Sequence, residues 1–227
     1  MVFIVGLDLG QSVDYSALCL IECSGGAFDE PPHYGAKYYA VRHLQRWPLR
    51  TTYPTIAAEV TTLLQRAPVA QAGWALMVDA TGVGRPVVDL FRGAGLPAIA
   101  VTLTGGIEEN MGDYINVTVP KRTVVSNLVA AFQTERLKIA DGLELAPTLM
   151  SELANFKLKI NIATGNETYE AWRESIHDDL VLSVGIACWY AERCFQPQIY
   201  GVAGEFDITK IPGWRDDRYA PLDVPGW

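Results

Sequence analysis

The sequence is poor in residues that bind zinc. It contains 4 cysteines and 3 histidines in 227 residues. No Cys-x-x-Cys pair is present, and no cysteine lies close to a His-x-x-x-His pair. A zinc site is therefore not predicted, and the cysteines are expected to be reduced and packed in the core.

Long hydrophobic runs are also lacking. None approaches the roughly 18–20 residues that a membrane-spanning helix needs. The apolar start, Met1–Leu7, meets Asp8 at once and has no basic residues before it, unlike a signal peptide. Since 49% of the residues are hydrophobic, the chain can bury a core. We expect a soluble, intracellular protein with no membrane partner.

Positive charge is outnumbered, since 18 lysines and arginines stand against 26 aspartates and glutamates, and the formal net charge is −8 at pH 7. This argues against a generic basic coat for nucleic acid. DNA is not thereby excluded, since a nuclease that concentrates carboxylates can be acidic overall and still carry a local basic strip. Basic residues do outnumber acidic ones between Lys121 and Lys159.

Apolar segments follow one another in a regular order. Three β-rich segments at 2–8, 16–23 and 37–44 predict an antiparallel meander. Helices and strands then alternate, and an apolar helix over 178–193 closes the series. The predicted fold is α/β: a mixed sheet, with a three-strand antiparallel meander plus parallel strands, and helices on both faces.

The later elements are predicted from turn residues and periodicity. Helices are expected after Pro54, after Gly82, from Pro120 and over 146–155, with strands over 74–79 and 97–103. Segments 156–162 and 168–173 flank Thr164-Gly-Asn166, which predicts a β-hairpin.

Carboxylates recur where predicted elements begin or end. Asp8 ends the first strand, Asp79 ends the strand over 74–79, and Asp178 and Asp179 open the last helix. If the two strands are neighbours, their aspartates emerge side by side. Two carboxylates about 4 Å apart repel by roughly 4 kcal/mol at an effective dielectric near 20. Such a cluster takes up protons or binds a divalent cation.

Oxygen ligands with no histidine or cysteine among them favour Mg²⁺ or Mn²⁺ over Zn²⁺. Each position alone has a simpler interpretation. An aspartate at a strand end is often a turn former, and one at a helix start is often a cap. It is their joint placement that indicates a metal site.

Four segments, in order, resemble the nuclease motifs of the large terminase subunit of tailed phages. The resemblance spans about residues 1–193. It rests on Gly6-Leu-Asp8-Leu-Gly10 with Asp14-Tyr-Ser16-Ala17, on Val78-Asp79-Ala-Thr-Gly82-Val-Gly84, on Lys121-Arg122 with Tyr169-Glu-Ala-Trp-Arg173, and on His177-Asp178-Asp179-Leu-Val-Leu-Ser183.

The resemblance implies a ribonuclease H-like fold, in the resolvase-like superfamily. It also implies a metal-dependent endonuclease that cuts double-stranded phage DNA during genome packaging. Asp8, Asp79 and Asp179 would be catalytic ligands of two Mg²⁺ or Mn²⁺ ions, and Asp178 a further ligand or a group behind them. Asp14 would lie behind the ligands. The nuclease domain would be formed by residues 1–195. From Gln196 onward the composition changes to proline, glycine, tryptophan and charge with no clear period, which predicts a C-terminal tail or docking segment over 196–227.

By the same resemblance, the partners are double-stranded DNA, the packaging ATPase motor, the portal and the small terminase subunit, in the host cytoplasm. The chain has no Walker motif, so the motor would be a separate chain or a removed domain. Contacts to DNA phosphates are expected from basic side chains, with the 156–173 hairpin as a flap beside the DNA groove. The basic candidates are Lys121, Arg122, Lys157, Lys159 and Arg173.

Three alternatives remain open. A Holliday-junction resolvase has the same acidic constellation and differs in its substrate. In a sugar kinase or actin-like ATPase, Asp8-Leu-Gly10-Gln-Ser12 and Asp79-Ala-Thr-Gly82 would be phosphate loops, which ATP binding would reveal. In a non-enzymatic docking module the carboxylates would be turn residues, and metal would not change stability.

Overall fold

A mixed sheet of seven strands forms the centre of this computed structural model, which describes residues 2–10, 13–25, 37–82, 85–163 and 177–194. The order across the sheet is β6-β5-β4-β1-β2-β3-β7. In chain order the strands are β1 (Val2–Asp8), β2 (Ser16–Gly25), β3 (Lys37–Trp47), β4 (Trp74–Asp79), β5 (Ala98–Thr104), β6 (Asn116–Pro120) and β7 (Leu137–Ile139).

The described helices cover both faces of the sheet. One face carries α1 (Tyr53–Leu64), α2 (Val69–Ala72) and α3 (Arg85–Gly93). The other carries α4 (Lys121–Gln133), α5 (Ala146–Ala163) and α6 (Asp179–Cys194). None of them is long and apolar enough to cross a membrane.

Strand pairing confirms the predicted fold class. β1, β2 and β3 form the antiparallel meander. The pairs β1–β4, β4–β5, β5–β6 and β3–β7 are all parallel. The sequence had predicted neither β6 nor β7, which widen the sheet at its two edges.

The alternation of side chains along β1 divides the core into two layers. Phe3, Val5 and Leu7 pack with α1–α3, and Ile4 packs with α4–α6. Because side chains alternate between the faces of a strand, Gly6 and Asp8 lie on the same face as Ile4. Asp8 therefore points to the side on which α6 lies.

Gly6 permits an unusually close approach of α6 to the sheet. A Cβ atom at this position would lie 1.9 Å from the backbone oxygen of Ser183. α6 packs on β1 and β2, and its residues from Leu180 to Trp189, apart from Gly185 and Ser183, are apolar and buried. A helix that is hydrophobic on every side is a core helix. Its first turn is thereby held close to the end of β1.

The predicted hairpin is wrong in its first arm. Residues 156–162 belong to α5, which continues to Ala163. Their alternating Lys-Leu-Lys-Ile pattern suggested a strand, but no glycine or proline occurs between Pro147 and Gly165, so nothing in the sequence ends the helix. The second arm, 168–173, lies outside the described residues, as does the predicted tail, 196–227.

Candidate functional site

The aspartates of β1 and β4 lie at the same end of the sheet. These strands are parallel neighbours, and Leu7 pairs with Val78. Asp8 and Asp79 follow directly, so they emerge next to each other from adjacent strands, as the sequence predicted. The start of α6 brings Asp178 and Asp179 to this edge, where both charges act on the carboxylate of Asp8.

Asp8 is the residue that links the cluster. It retains some contact with solvent, although protein atoms surround its carboxylate. Burial raises its pKa well above the usual value, and the negative charges of Asp79, Asp179 and Asp178 raise it further. Lys121 acts in the opposite direction. Four carboxylates thus act on one another at this edge, and two of them, Asp79 and Asp179, are buried. Such an arrangement favours either proton uptake or a bound cation.

Thr81 fixes the carboxylate of Asp79. Its backbone N–H donates to Asp79 Oδ1 at 2.8 Å, and its hydroxyl donates to the same oxygen. The hydroxyl oxygen accepts in turn from the N–H of Leu103 on β5, at 2.8 Å. Burial raises the pKa of Asp79, while the bonds from Thr81 lower it. The side chain is buried and has a defined direction.

Asp178 is the residue that precedes α6. Its backbone oxygen accepts from the N–H of Leu182 at 2.9 Å, as expected of a helix cap. Its side-chain Oδ2 lies 3.3 Å from Nζ of Lys121, the first residue of α4. Lys121 had been predicted to contact DNA, and the structure places it against the carboxylate cluster.

Asp179 is buried, with 5% of its surface exposed. Its Oδ2 accepts no hydrogen bond within the described part of the chain, although Arg46 Nη2 lies 3.3 Å away and His177 Nδ1 lies 4.0 Å away. Burial raises the pKa of Asp179 to about 6, and the charges of Asp178 and Asp14 contribute, against Arg46 and His177.

Two residues at this site had not been predicted from the sequence. Glu152 of α5 and Arg46 of β3 form an ion pair beside Asp179. Glu152 lies on the same face of α5 as the buried Leu149 and Leu153. An acidic residue on an apolar helix face is unusual, and this pattern could have identified Glu152 from the sequence. Nothing comparable marked Arg46, because the predicted strand ended at Leu44.

The donor set fits a hard divalent cation. Within the described ranges, no three acidic, histidine or cysteine side chains are grouped so that they could hold a metal ion as they stand. Asp178 instead contacts Lys121, and Asp179 faces Arg46, so protein cations balance part of the charge. Carboxylate oxygens, one of them buried without a hydrogen bond, are the ligands that Mg²⁺ and Mn²⁺ prefer.

A polar cleft of about 140 Å³ opens where β1 ends and β2 begins. Tyr53 donates its hydroxyl to the backbone oxygen of Gly10 across it, at 3.2 Å. A Cβ atom at Gly10 would lie 2.2 Å from the backbone oxygen of Asp14, so this turn requires glycine. The cleft is lined by Gly10, Asp14, Ser16, Pro48, Arg50, Thr51 and Tyr53.

Of the remaining candidates for DNA binding, the structure describes only the side chain of Arg122. Arg122 is exposed, and its guanidinium donates to the backbone oxygen of Ile107 at 3.4 Å. Lys157 and Lys159 belong to α5, but their side chains lie outside the described part. Arg173 also lies outside it. Their contacts with DNA stay predictions.

Without metal, the protein is expected to lose stability between pH 5 and pH 8. The folded-state pKa is raised to about 6 for Asp179 and about 7 for Glu152, so the folded state holds extra protons. The resulting stability is present below about pH 4 and is lost as the pH rises through these values. The melting temperature in EDTA should fall by a few degrees.

Differential scanning fluorimetry of the wild type beside Asp179→Asn would check this. The variant should show a shallower decline, because one of the titrating groups is gone. The lowered pKa of His43 acts in the opposite direction in both proteins and cancels in the comparison. If the melting temperature declined equally steeply with pH in both proteins, Asp179 would not be one of the groups that release a proton in this range.

Comparison with known proteins gives a likeness of fold. No protein-family profile matches the chain, and no curated protein matches it. The large terminase nuclease from thermophilic phage G20c superposes with a TM-score of 0.54 at 19% sequence identity, covering 84% of this chain and 82% of that one. The chain has the ribonuclease H-like fold of a terminase nuclease.

Two further solved structures match this chain less well. The human cytomegalovirus terminase nuclease domain gives a TM-score of 0.47 at 10% identity, covering 82% of both chains. Thermus thermophilus RuvC gives 0.39 at 16% identity, covering 84% of this chain and 95% of that one. Neither superposes closely enough to support a comparison of residues, so the terminase nuclease fold is the extent of the finding.

Proposed function

We propose that the chain is an endonuclease that depends on Mg²⁺ or Mn²⁺ and cleaves double-stranded phage DNA during genome packaging. The observation that carries the proposal is the convergence of four aspartates, from β1, β4 and the start of α6, at one edge of the sheet. Charges of one sign are costly when buried together, so a cluster of this kind needs a counter-charge. A terminase nuclease fold and the order of the motifs support the same function.

In this proposal Asp8, Asp79 and Asp179 hold two divalent ions, with Asp178 as a further ligand or a group behind them. The bound ions would supply a nucleophile from water and stabilise the charge on the leaving oxygen. Thr81 keeps Asp79 directed to the site, and Lys121 reduces repulsion while metal is absent. The protein itself thus supplies position and charge for phosphodiester hydrolysis.

Partners and location are part of the proposal. The basic side chains Lys121, Arg122, Lys157, Lys159 and Arg173 are proposed to contact DNA phosphates. The packaging motor, the portal and the small terminase subunit are proposed as protein partners in the host cytoplasm. Residues 1–195 would be the nuclease domain, and 196–227 the segment that docks to one of these partners.

Incubation of the full chain with supercoiled plasmid tests this function. Nicking and linearisation are expected with Mn²⁺ or Mg²⁺, and none with EDTA. A four-way DNA junction should be run beside a linear duplex of equal length. Preferential cutting of the junction would assign a resolvase instead. If no substrate is cut and calorimetry detects no binding of Mn²⁺, the proposal is wrong.

A further inference from the structure

We propose that Arg46 and Glu152 form a positioning pair that orients Asp179 for metal binding. This inference rests on the proposed metal site. Neither residue is a metal ligand in it. They act on the ligand through two linked contacts: one to the backbone of α6 and one to the side chain of Asp179.

Glu152 fixes the first turn of α6. Its side chain is buried, and Oε2 accepts hydrogen bonds from the backbone N–H groups of Leu180 at 3.1 Å and Val181 at 3.2 Å. The first N–H groups of a helix have no partner within the helix, so a carboxylate in this position satisfies them and interacts well with the helix dipole. Asp179 directly precedes Leu180, so these hydrogen bonds to Glu152 of α5 also restrain the backbone of Asp179.

Arg46 carries the restraint from Glu152 to the side chain of Asp179. Its Nη2 atom contacts Glu152 Oε1 directly and lies 3.3 Å from Asp179 Oδ2. The guanidinium itself is held against the ring of Tyr15, 5.0 Å from the centroid, and that ring packs edge-on against His177. The cation is thus confined on several sides before any ion binds.

The consequence is a fixed direction for the ligand oxygens. Both oxygens of a carboxylate belong to one planar group, so an ion pair at Oδ2 also sets where Oδ1 points. Residues that support a metal ligand in this way typically change metal affinity by about 10–100-fold when they are lost.

The variant Arg46→Met distinguishes a role of Arg46 in orienting Asp179 from a purely electrostatic effect of its charge on the metal ion. Removal of a cation beside the site should tighten metal binding if only Coulomb attraction matters. If Arg46 positions Asp179, the same change should weaken binding. Glu152→Gln is the second variant, because it keeps an oxygen that can accept from Leu180 and Val181 while it removes the negative charge that holds Arg46.

The chain offers a matched control in Arg42→Met. Arg42 lies on the same strand and is also paired with a glutamate, since its Nε is 3.0 Å from Glu22 Oε2. The two arginines are similarly buried, with 15% and 16% of their side chains exposed. Arg42→Met should leave metal binding unchanged.

Calorimetric titration of Mn²⁺ at pH 8 would measure the effect, with the melting temperature in EDTA as a check on folding. We expect the dissociation constant to rise by about tenfold or more in Arg46→Met and in Glu152→Gln. The double variant should be about as weak as either single variant, because the two residues act as a unit. A merely structural role would lower the melting temperature without this pattern.

The outcomes distinguish this inference from the proposed function. Unchanged or tighter binding in Arg46→Met overturns the positioning role, even if the wild type cuts DNA. If the wild type binds Mn²⁺ but cuts no DNA, and both variants bind Mn²⁺ more weakly, the positioning role is supported and the proposed nuclease function is wrong. A wild type that binds no Mn²⁺ overturns both.

Discussion

Asp8→Asn is expected to remove almost all of the metal-dependent cleavage of plasmid DNA. Asp8 lies at the end of the central strand β1, and its charge is coupled to the charges of Asp79, Asp178 and Asp179. An amide has no charge with which to hold the proposed ions. Loss of about 4 kcal/mol of transition-state stabilisation would slow cleavage by roughly a thousandfold. The measurement is the rate of plasmid linearisation in Mn²⁺.

Stability measurements keep this result separate from misfolding. The raised pKa of Asp8 means that its charged form is costly in the fold, so Asp8→Asn should melt at the same temperature as the wild type in EDTA, or higher. Asp89→Asn is the control, because Asp89 is 64% exposed on α3 and pairs only with Arg92 among the described residues. Exposed pairs contribute little, so this variant should cut normally. Normal cutting by Asp8→Asn would place the site elsewhere.

Gly6→Ala should produce the largest loss of stability of the variants considered. The new methyl group would lie 1.9 Å from the backbone oxygen of Ser183, and a backbone atom in the middle of a buried helix cannot move aside. Relief requires α6 to shift away from β1. Overpacking typically costs about 1–3 kcal/mol, and a contact as short as this one places Gly6→Ala at the upper end of that range. Urea unfolding followed by circular dichroism would measure it, and Mn²⁺ should stabilise the variant less than the wild type.

Gly93→Ala is the matched control. It introduces the same methyl group at the last residue of α3, where no atom lies within 4 Å of the added Cβ. Alanine is the better helix former, so the free energy of unfolding should change by less than about 1 kcal/mol, in the stabilising direction. Equal stabilities for Gly6→Ala and the wild type would mean that α6 does not lie so close to the sheet.

The sequence was informative where elements end on a charged residue. Val2–Asp8 and Trp74–Asp79 are short apolar runs that stop at an aspartate. Continuous apolar runs of this kind are typical of parallel strands that are buried on both faces. The apolar composition of α6 likewise revealed a core helix. These patterns are local. They predicted that Asp8 and Asp79 would emerge side by side if their two strands were neighbours, and β1 and β4 do pair.

The remainder depends on contacts between distant parts of the chain. β7 has only three residues, Leu137–Ile139, too few for any periodicity, and it exists because it pairs with β3. The length of α5 was misjudged because its alternating lysines fit a strand as well as a helix. Arg46 and Glu152 meet across more than 100 residues of sequence, which no local pattern reports.

The distribution of the four aspartates along the chain also affects how the protein is made. Asp8 belongs to the first strand, whereas Asp178 and Asp179 follow almost the whole of the described chain. On the ribosome, β1 emerges long before α6 is synthesised, and contacts of such high sequence separation form late in folding. A nascent or truncated chain therefore carries only half of the cluster. A cell that makes this protein is exposed to a complete acidic centre only after the closing helix has been translated and packed.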